Sequence, residues 1–229
     1  MTVAAVILAA TPDSALADAG GTPAIRRLAD IAWAGGATPV VVCTFDPDGA
    51  VGATLANAEV TLVSPVAADR GPVGQIVNGI EAAHRLVAAT DASLVWPARM
   101  AWVDAETVTQ LISAHGEDRD TVLRPAYRGQ PGWPVLVPAG CLETLRGLAP
   151  DRMPADLVTD LAAAGCPPRL VETGDPGVIH DLATPRADLP AYDGPPEPDE
   201  AHEWGAVAAD DDDAAPVPHP VTLLPVDEA

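Results

Sequence analysis

Along residues 1–190, short apolar runs alternate with stripes of helical period, and no other feature narrows the fold as far. Thr2–Ala10 is an apolar run that reads as a buried strand. Thr22 and Pro23 supply a helix cap and a first-turn proline, followed by the stripe Ile25, Leu28, Ala29 and Ala32, which stops at Gly35 and Gly36. Pro39–Thr44 and Glu59–Val63 read as the next strands. Pro72 opens a helix with Val73, Ile76, Val77, Ile80 and Val87 on one face. Ala92–Trp96 is a fourth strand, and Asp104 caps a helix running to about His115. Thr121–Ala126, Pro134–Val137 and Arg169–Thr173 complete the strands, with helices near Ala139–Leu148 and Ala155–Ala164. Strand–helix alternation of this kind predicts a three-layer α/β, Rossmann-like fold with a mostly parallel sheet. Ligands of such sheets sit at the carboxyl ends of strands, so the residues after Ala10, Thr44, Val63 and Trp96 are the ones to inspect.

Charge divides the chain in two. Residues 193–229 carry 11 acids, no base and seven prolines, with a run of four aspartates at Asp210–Asp213. Such a stretch cannot bury enough apolar surface to offset its ordering entropy, so residues 191–229 are expected to form a disordered acidic tail after a domain of residues 1–190. The aspartate run lacks the glycine and trailing glutamate of a calcium loop and reads as a solvated spacer. Val221–Val226 is apolar again, and is a candidate segment for engaging a protein partner by strand addition or groove docking.

The rest of the chain holds 22 acids against 12 arginines, and there is no lysine anywhere. That excludes a P-loop lysine and a Schiff-base lysine. The net charge of −21 argues against nucleic-acid and anionic-membrane surfaces. No apolar run nears the ~20 residues of a membrane span, and the first strand lacks the basic flank of a signal peptide. Three widely spaced cysteines, Cys43, Cys141 and Cys166, fit a reducing cytoplasm and no zinc spacing.

At the predicted strand ends the sequence resembles the molybdenum-cofactor type of nucleotidyltransferase. Val6–Ala10 is similar to the family's VILAA strand, and Gly21–Pro23 to the GxP that starts the next helix. Pro39–Val42 is similar to PVVVV, and Gly71–Ile80 to GxxxSLxxGL. Leu94–Pro97 resembles the strand before the metal aspartate, and Pro131–Val135 resembles GxPGHPV. Asp175–Val178 and Asp181–Pro185 resemble DPGVLxDIDTP. The series runs in order from about residue 3 to 190. It implies a domain that moves a nucleotide from CTP or GTP to a pterin, with Mg²⁺ as cofactor.

The departures fall on the chemistry. After Ala9 and Ala10 the family's glycine loop is Thr11-Pro12-Asp13-Ser14 here, which restricts the backbone, deletes an N–H and adds negative charge. No basic residue precedes Arg26. The metal aspartate corresponds to Arg99, which cannot coordinate Mg²⁺. The family's second acid corresponds to Ala183, its histidine to Trp133 and its serine to Gln75. The resemblance therefore places a pocket among Ala9, Ala10, Thr11, Asp13, Ser14, Gln75, Asn78, Arg99, Trp133 and Asp181, with no metal ligand and no confident catalytic residue. Arg99 is expected to be tied down by Asp13, Asp18 or Asp181. Trp96, Trp102 and Trp133 are expected to converge at the pocket mouth and fill it. His180 and Asp181 read as a turn, and Cys43 as a small core hydrophobe. The expected function is a regulatory or assembly partner without metal-dependent transfer. The alternatives are an active atypical transferase that uses Mg²⁺, or a small-molecule sensor.

Overall fold

A computed structural model describes residues 1–194 of the chain. Its strands are β1 (Val3–Ala9), β2 (Val40–Thr44), β3 (Val60–Val63), β4 (Ala92–Pro97), β5 (Val122–Tyr127), β6 (Gln130–Pro131), β7 (Val135–Pro138) and β8 (Pro168–Glu172). The helices are α1 (Pro12–Leu16), α2 (Ala24–Ala34), α3 (Ala50–Thr54), α4 (Gly71–Leu86), α5 (Ala105–Glu117), α6 (Leu142–Arg146) and α7 (Leu157–Ala163). The strands form one sheet in the order β3-β2-β1-β4-β7-β5-β6, with β8 pairing alongside β5. Four of the seven pairings are parallel; β7 runs against β4 and β5, and β6 against β5. The sheet is thus a mostly parallel α/β array. Among the described residues no helix is long and apolar enough to cross a membrane.

The continuous apolar runs behave as buried strands must. Val40–Thr44 is buried at every position, and Val3–Ala9 at all but Leu8. Helices α2 and α5 pack together, α2 against β1 and β2 and α5 against β5 and β8, while α4 packs on β1, β2 and β4 with α6 beside it. The predicted stripe of α2 (Ile25, Leu28, Ala29, Ala32) is buried, as are Val73, Ile76, Val77 and Ile80 of α4. Gly79 lets α4 lie directly on the sheet, because a Cβ there would collide with Val6 and press on the Cys43 thiol. Burial pushes that thiol up to about 12, consistent with a core role and not a nucleophile.

Three local expectations change. The loop after β1 contains a helical turn, α1, because Pro12 stands in its first turn and Thr11 caps it. Thr22 does not cap α2. Pro23 takes the cap position, while Thr22 contributes its carbonyl to a tight turn that also accepts from Ala19 N. The start of the expected tail is docked on the body. Tyr127 donates its hydroxyl to Ala191 O, Asp193 N donates to Gly174 O, and Arg128 grips the Asp193 carboxylate at 2.7 and 2.9 Å. Residues 195–229, including Asp210–Asp213 and Val221–Val226, lie outside the described residues.

Candidate functional site

The chain leaves β1 for β2 on one side and later returns to place β4 on the other, so the strand order reverses between β1 and β4. Such switch points open a crevice at the carboxyl ends of the strands. Leu8 is registered with Pro97, and Ala98 N donates to Leu8 O, which pins the turn after β4 to the end of β1. Arg99 sits on that turn.

On the β1 side the loop is closed on itself. Thr11 Oγ1 accepts from Ser14 N, and Ser14 Oγ accepts from Thr11 N, each at 3.1 Å. This reciprocal cap consumes two backbone N–H groups that a phosphate-binding loop would aim at its anion. Pro12 removes a third donor, and Asp13 adds an acid to the first turn. Asp18 accepts from Gly21 N within the following turn, while Arg99 pairs with Asp181. Gln75 and Asn78, also expected at the pocket, are engaged with the loop after β3. The Gln75 side chain pairs with both the N–H and the carbonyl of Val66, and Asn78 donates to Ser64 O.

On the β4 side a cavity of about 520 Å³ opens. Its walls come from the β4 turn (Arg99, Met100), β5 (Arg124), the β6–β7 connection (Gln130–Trp133) and the crossing segment Val178–Asp181 with Thr184. Backbone bonds fix these walls: Gly132 N to Pro125 O, Trp133 N to Val178 O, and Leu182 N to Arg99 O. Of the residues expected at the pocket, the cavity gathers Arg99, Trp133 and Asp181; Ala9, Ala10, Thr11, Asp13, Ser14, Gln75 and Asn78 do not line it. Asp181 is the carboxylate nearest Arg99, with its Oδ2 3.8 Å from Nη1, and Arg99 remains 62% exposed. The three tryptophans separate. Trp133 lines the cavity; Trp96 is fully buried and donates to Met100 O; Trp102 donates to the carbonyls of Asp181 and Thr184. Two of the three rings are thus held in the framework by their N–H groups, and only one faces a ligand-sized space.

Two residues that shape this site are not among the pocket residues expected from sequence, although Asp175 stands in a motif. Arg124 lies inside β5, where a strand pattern gives no reason to single it out. Its Nε donates to Gly132 O at 3.0 Å, and burial lowers its pKa. Asp175 is almost fully buried and accepts from Asp104 N, the Thr107 hydroxyl and Gly177 N at 2.7–2.8 Å. Burial raises its carboxyl above the usual range against the pull of those donors. It ties the start of α5 to the turn that forms the cavity wall. Gly177 is required there, since a Cβ would strike the Trp102 carbonyl.

The residues at the switch point do not fit a divalent cation. The turn offers a guanidinium, the Asp181 carboxylate is shared between Arg99 and Ala183 N, and Ala183 itself brings no ligand. Among the described residues no group of three or more His, Cys, Asp or Glu side chains is placed to hold a metal ion.

Comparison with solved structures returns the same architecture at low identity. A nucleotidyl transferase from Methanothermobacter is 20% identical with a TM-score of 0.58, over 75% of this chain and 87% of its own. The 4-diphosphocytidyl-2C-methyl-D-erythritol synthase of Anaerococcus prevotii is 12% identical with a TM-score of 0.62, over 80% and 93%. Rv0371c of Mycobacterium tuberculosis, solved as a complex with manganese, is 15% identical with a TM-score of 0.59, over 76% and 89%. No curated protein matches in sequence. The family profile of the MobA-like NTP transferase domain matches residues 9–165, more than half of the chain. With the switch-point architecture and this match together, the chain belongs to the MobA-like NTP transferase domain family.

Proposed function

We propose that this protein is a diverged member of its family that does not perform metal-dependent nucleotidyl transfer and serves as a regulatory or assembly partner. The observation that carries the reading is the closed loop after β1: its Thr11 and Ser14 N–H groups are spent on a reciprocal cap, next to Asp13. Nucleotidyl transfer depends on electrostatic stabilisation of a phosphorus centre by cations and aimed donors. Here the donors are turned inward, and an arginine occupies the turn from which a hard oxygen ligand would come. The acidic stretch beyond Gly194 acts as a tether in this reading, and Val221–Val226 is the segment offered to a protein partner. A molybdenum-cofactor link rests on the sequence resemblance alone.

Calorimetric titration of the full chain with CTP and GTP, with and without Mg²⁺, tests the reading. The expected result is no saturable Mg²⁺-dependent binding. Micromolar, Mg²⁺-dependent binding would return the protein to the active transferases. A truncation after Gly194 keeps the docked strap, and loss of a specific co-purifying protein on that truncation is the result expected of a tether. A second reading, a small-molecule sensor, is favoured by one observation, the 520 Å³ cavity walled by Arg99, Arg124 and Trp133.

A further inference from the structure

We infer that the cavity between the β4 turn and β5 is a metal-free binding site for a small oxyanion, gripped by Arg124 and Arg99. The inference deepens the sensor reading above and rests on it. Its starting point is a charge imbalance. The body of the chain is strongly acidic, yet two of its 12 arginines converge on one cavity together with His180, and among the described residues Asp181 is the only acid in the wall.

Arg124 is the decisive residue. A half-buried guanidinium is costly unless its charge is matched. Among the described residues it forms no ion pair with any acid, and its one hydrogen bond runs from Nε to a neutral carbonyl, Gly132 O. That bond fixes the plane of the group and leaves both terminal nitrogens for an occupant. Arg99 supplies the second cation on the facing turn, held only loosely by Asp181 at 3.8 Å. A planar fork of N–H donors matches the paired oxygens of a carboxylate or a phosphate. Gln130 and Thr184 add neutral polar groups to the wall, while Trp133, Val178 and Ile179 add apolar surface for a compact organic body. A volume of about 520 Å³ lies within the usual range for small-molecule sites, roughly 300–1,000 Å³. The other large cavity, about 470 Å³ near Trp33 and Leu86, has among the described residues Glu59 as its only charged lining residue and no cation, so it does not share this chemistry.

The test is calorimetry on the full chain in excess EDTA, titrating inorganic phosphate, glycerol phosphate and succinate separately. Saturable binding is expected for at least one of them. Stronger phosphate arms identify a phosphate ligand, and a stronger succinate arm identifies a carboxylate; each supports the site. Arg124→Gln should weaken binding roughly tenfold or more, and Arg99→Gln by a smaller factor. Asp181→Asn should tighten it, because it frees Arg99 while keeping an oxygen to accept from Ala183 N. Arg119→Gln, on a residue that does not line the cavity, should leave affinity unchanged. Should Arg124→Gln fail to fold, the opposite signs expected for Arg99→Gln and Asp181→Asn still decide the matter. The inference falls if none of the probes saturates, or if Arg119→Gln weakens binding as much as the cavity variants do. Nucleotide binding that requires Mg²⁺, with metal-free anion binding intact, would overturn the functional reading and leave the site standing.

Discussion

The loop after β1 and the cavity beside β4 face each other across the same switch point and have opposite polar economies. In the loop, Thr11 and Ser14 satisfy each other's backbone, and the free charge is the acid Asp13. In the cavity, backbone bonds from Gly132, Trp133 and Leu182 hold the walls, and the charged groups left over are the Arg124 and Arg99 guanidiniums. A scaffold of this kind attracts anions wherever donors and cations remain unspent. On the inference above, that place is the β4–β5 side and not the β1 loop. The difference lies in a few side chains and one helical turn, while the sheet beneath is shared.

The largest expected effect comes from the support of the cavity wall. Asp175→Ala strands three buried or part-buried donors, of Asp104, Thr107 and Gly177. A buried donor left unsatisfied costs about 1–3 kcal/mol, so with up to three stranded urea denaturation should show a loss of several kcal/mol at most. The damage should be one-sided. The Thr11–Ser14 cap has no bond to this network, so protection of Ser14 N from hydrogen exchange should be unchanged by the substitution, while Asp104 N and Gly177 N exchange faster. Equal loss on both sides would mean that the two regions are one cooperative unit.

The other end of α5 provides a change that should move stability without moving either region. His115 is fully buried, and neither ring nitrogen has a hydrogen-bond partner. Burial lowers its pKa, with Arg119 adding to the effect and Asp91, Asp118 and Asp120 opposing it. The folded chain therefore resists a proton that the unfolded chain accepts near pH 6.5. Stability from this residue is complete above that pH and declines as the pH falls from about 6.5 toward the lowered folded value. His115→Leu should reduce the slope of melting temperature against pH in that window. It should also gain up to about 2 kcal/mol by removing an unpartnered polar group. An unchanged slope would show that His115 takes up its proton alike in the folded and unfolded chain, so that folding does not lower its pKa.

The framework was more legible than the chemistry, for reasons visible in single residues. Burial patterns are one-dimensional, so β1, β2, α2 and α4 could be read from runs and stripes. The antiparallel entry of β7 could not, because direction depends on how the chain crosses the sheet. At the site, Arg99 and Asp181 were found because each occupies a motif position, and their pairing matches one of the partners named from sequence. Asp175 owes its role to Asp104 and Thr107, about 70 residues away, and Arg124 to Gly132 across the β5–β6 turn and to the cavity walls brought beside it, which a strand pattern does not disclose. Gln75 and Asn78 lie in a motif but are spent on backbone groups of the loop after β3, which only the folded chain discloses.

A smaller change separates the closed loop from an open one. Thr11→Ala removes the acceptor for Ser14 N and should cost about 1 kcal/mol, the usual value of a helix cap. The variant should still fail to bind CTP with Mg²⁺, since Pro12, Asp13 and Arg99 remain. Acquisition of nucleotide affinity would show that the cap alone keeps the loop from its anion.

The smallest expected effect concerns the strap at Ala191–Gly194, which is held on the β5–β6 turn next to the cavity wall. Arg128 adopts a left-handed backbone (φ 49°), stacks over the Tyr127 ring and grips Asp193 with two nitrogens. Both charges are substantially exposed, 64% and 44%, so solvent and salt screen the pair and its worth is within about 1 kcal/mol. Asp193→Asn should therefore shift the urea midpoint only slightly, and the shift should shrink further in 1 M salt. The backbone bond from Asp193 N to Gly174 O and the bond from Tyr127 to Ala191 O survive that substitution, so the strap should stay docked. Adding Tyr127→Phe removes the second anchor, and the double variant should expose the segment to proteolysis while Arg124 and Gly132 remain protected. If cleavage of the strap also lowers anion affinity in the cavity, the strap and the site are coupled through the β5–β6 turn. If affinity is unchanged, the turn is rigid enough to hold the Arg124 carbonyl partner by itself, and the cavity belongs to the sheet alone.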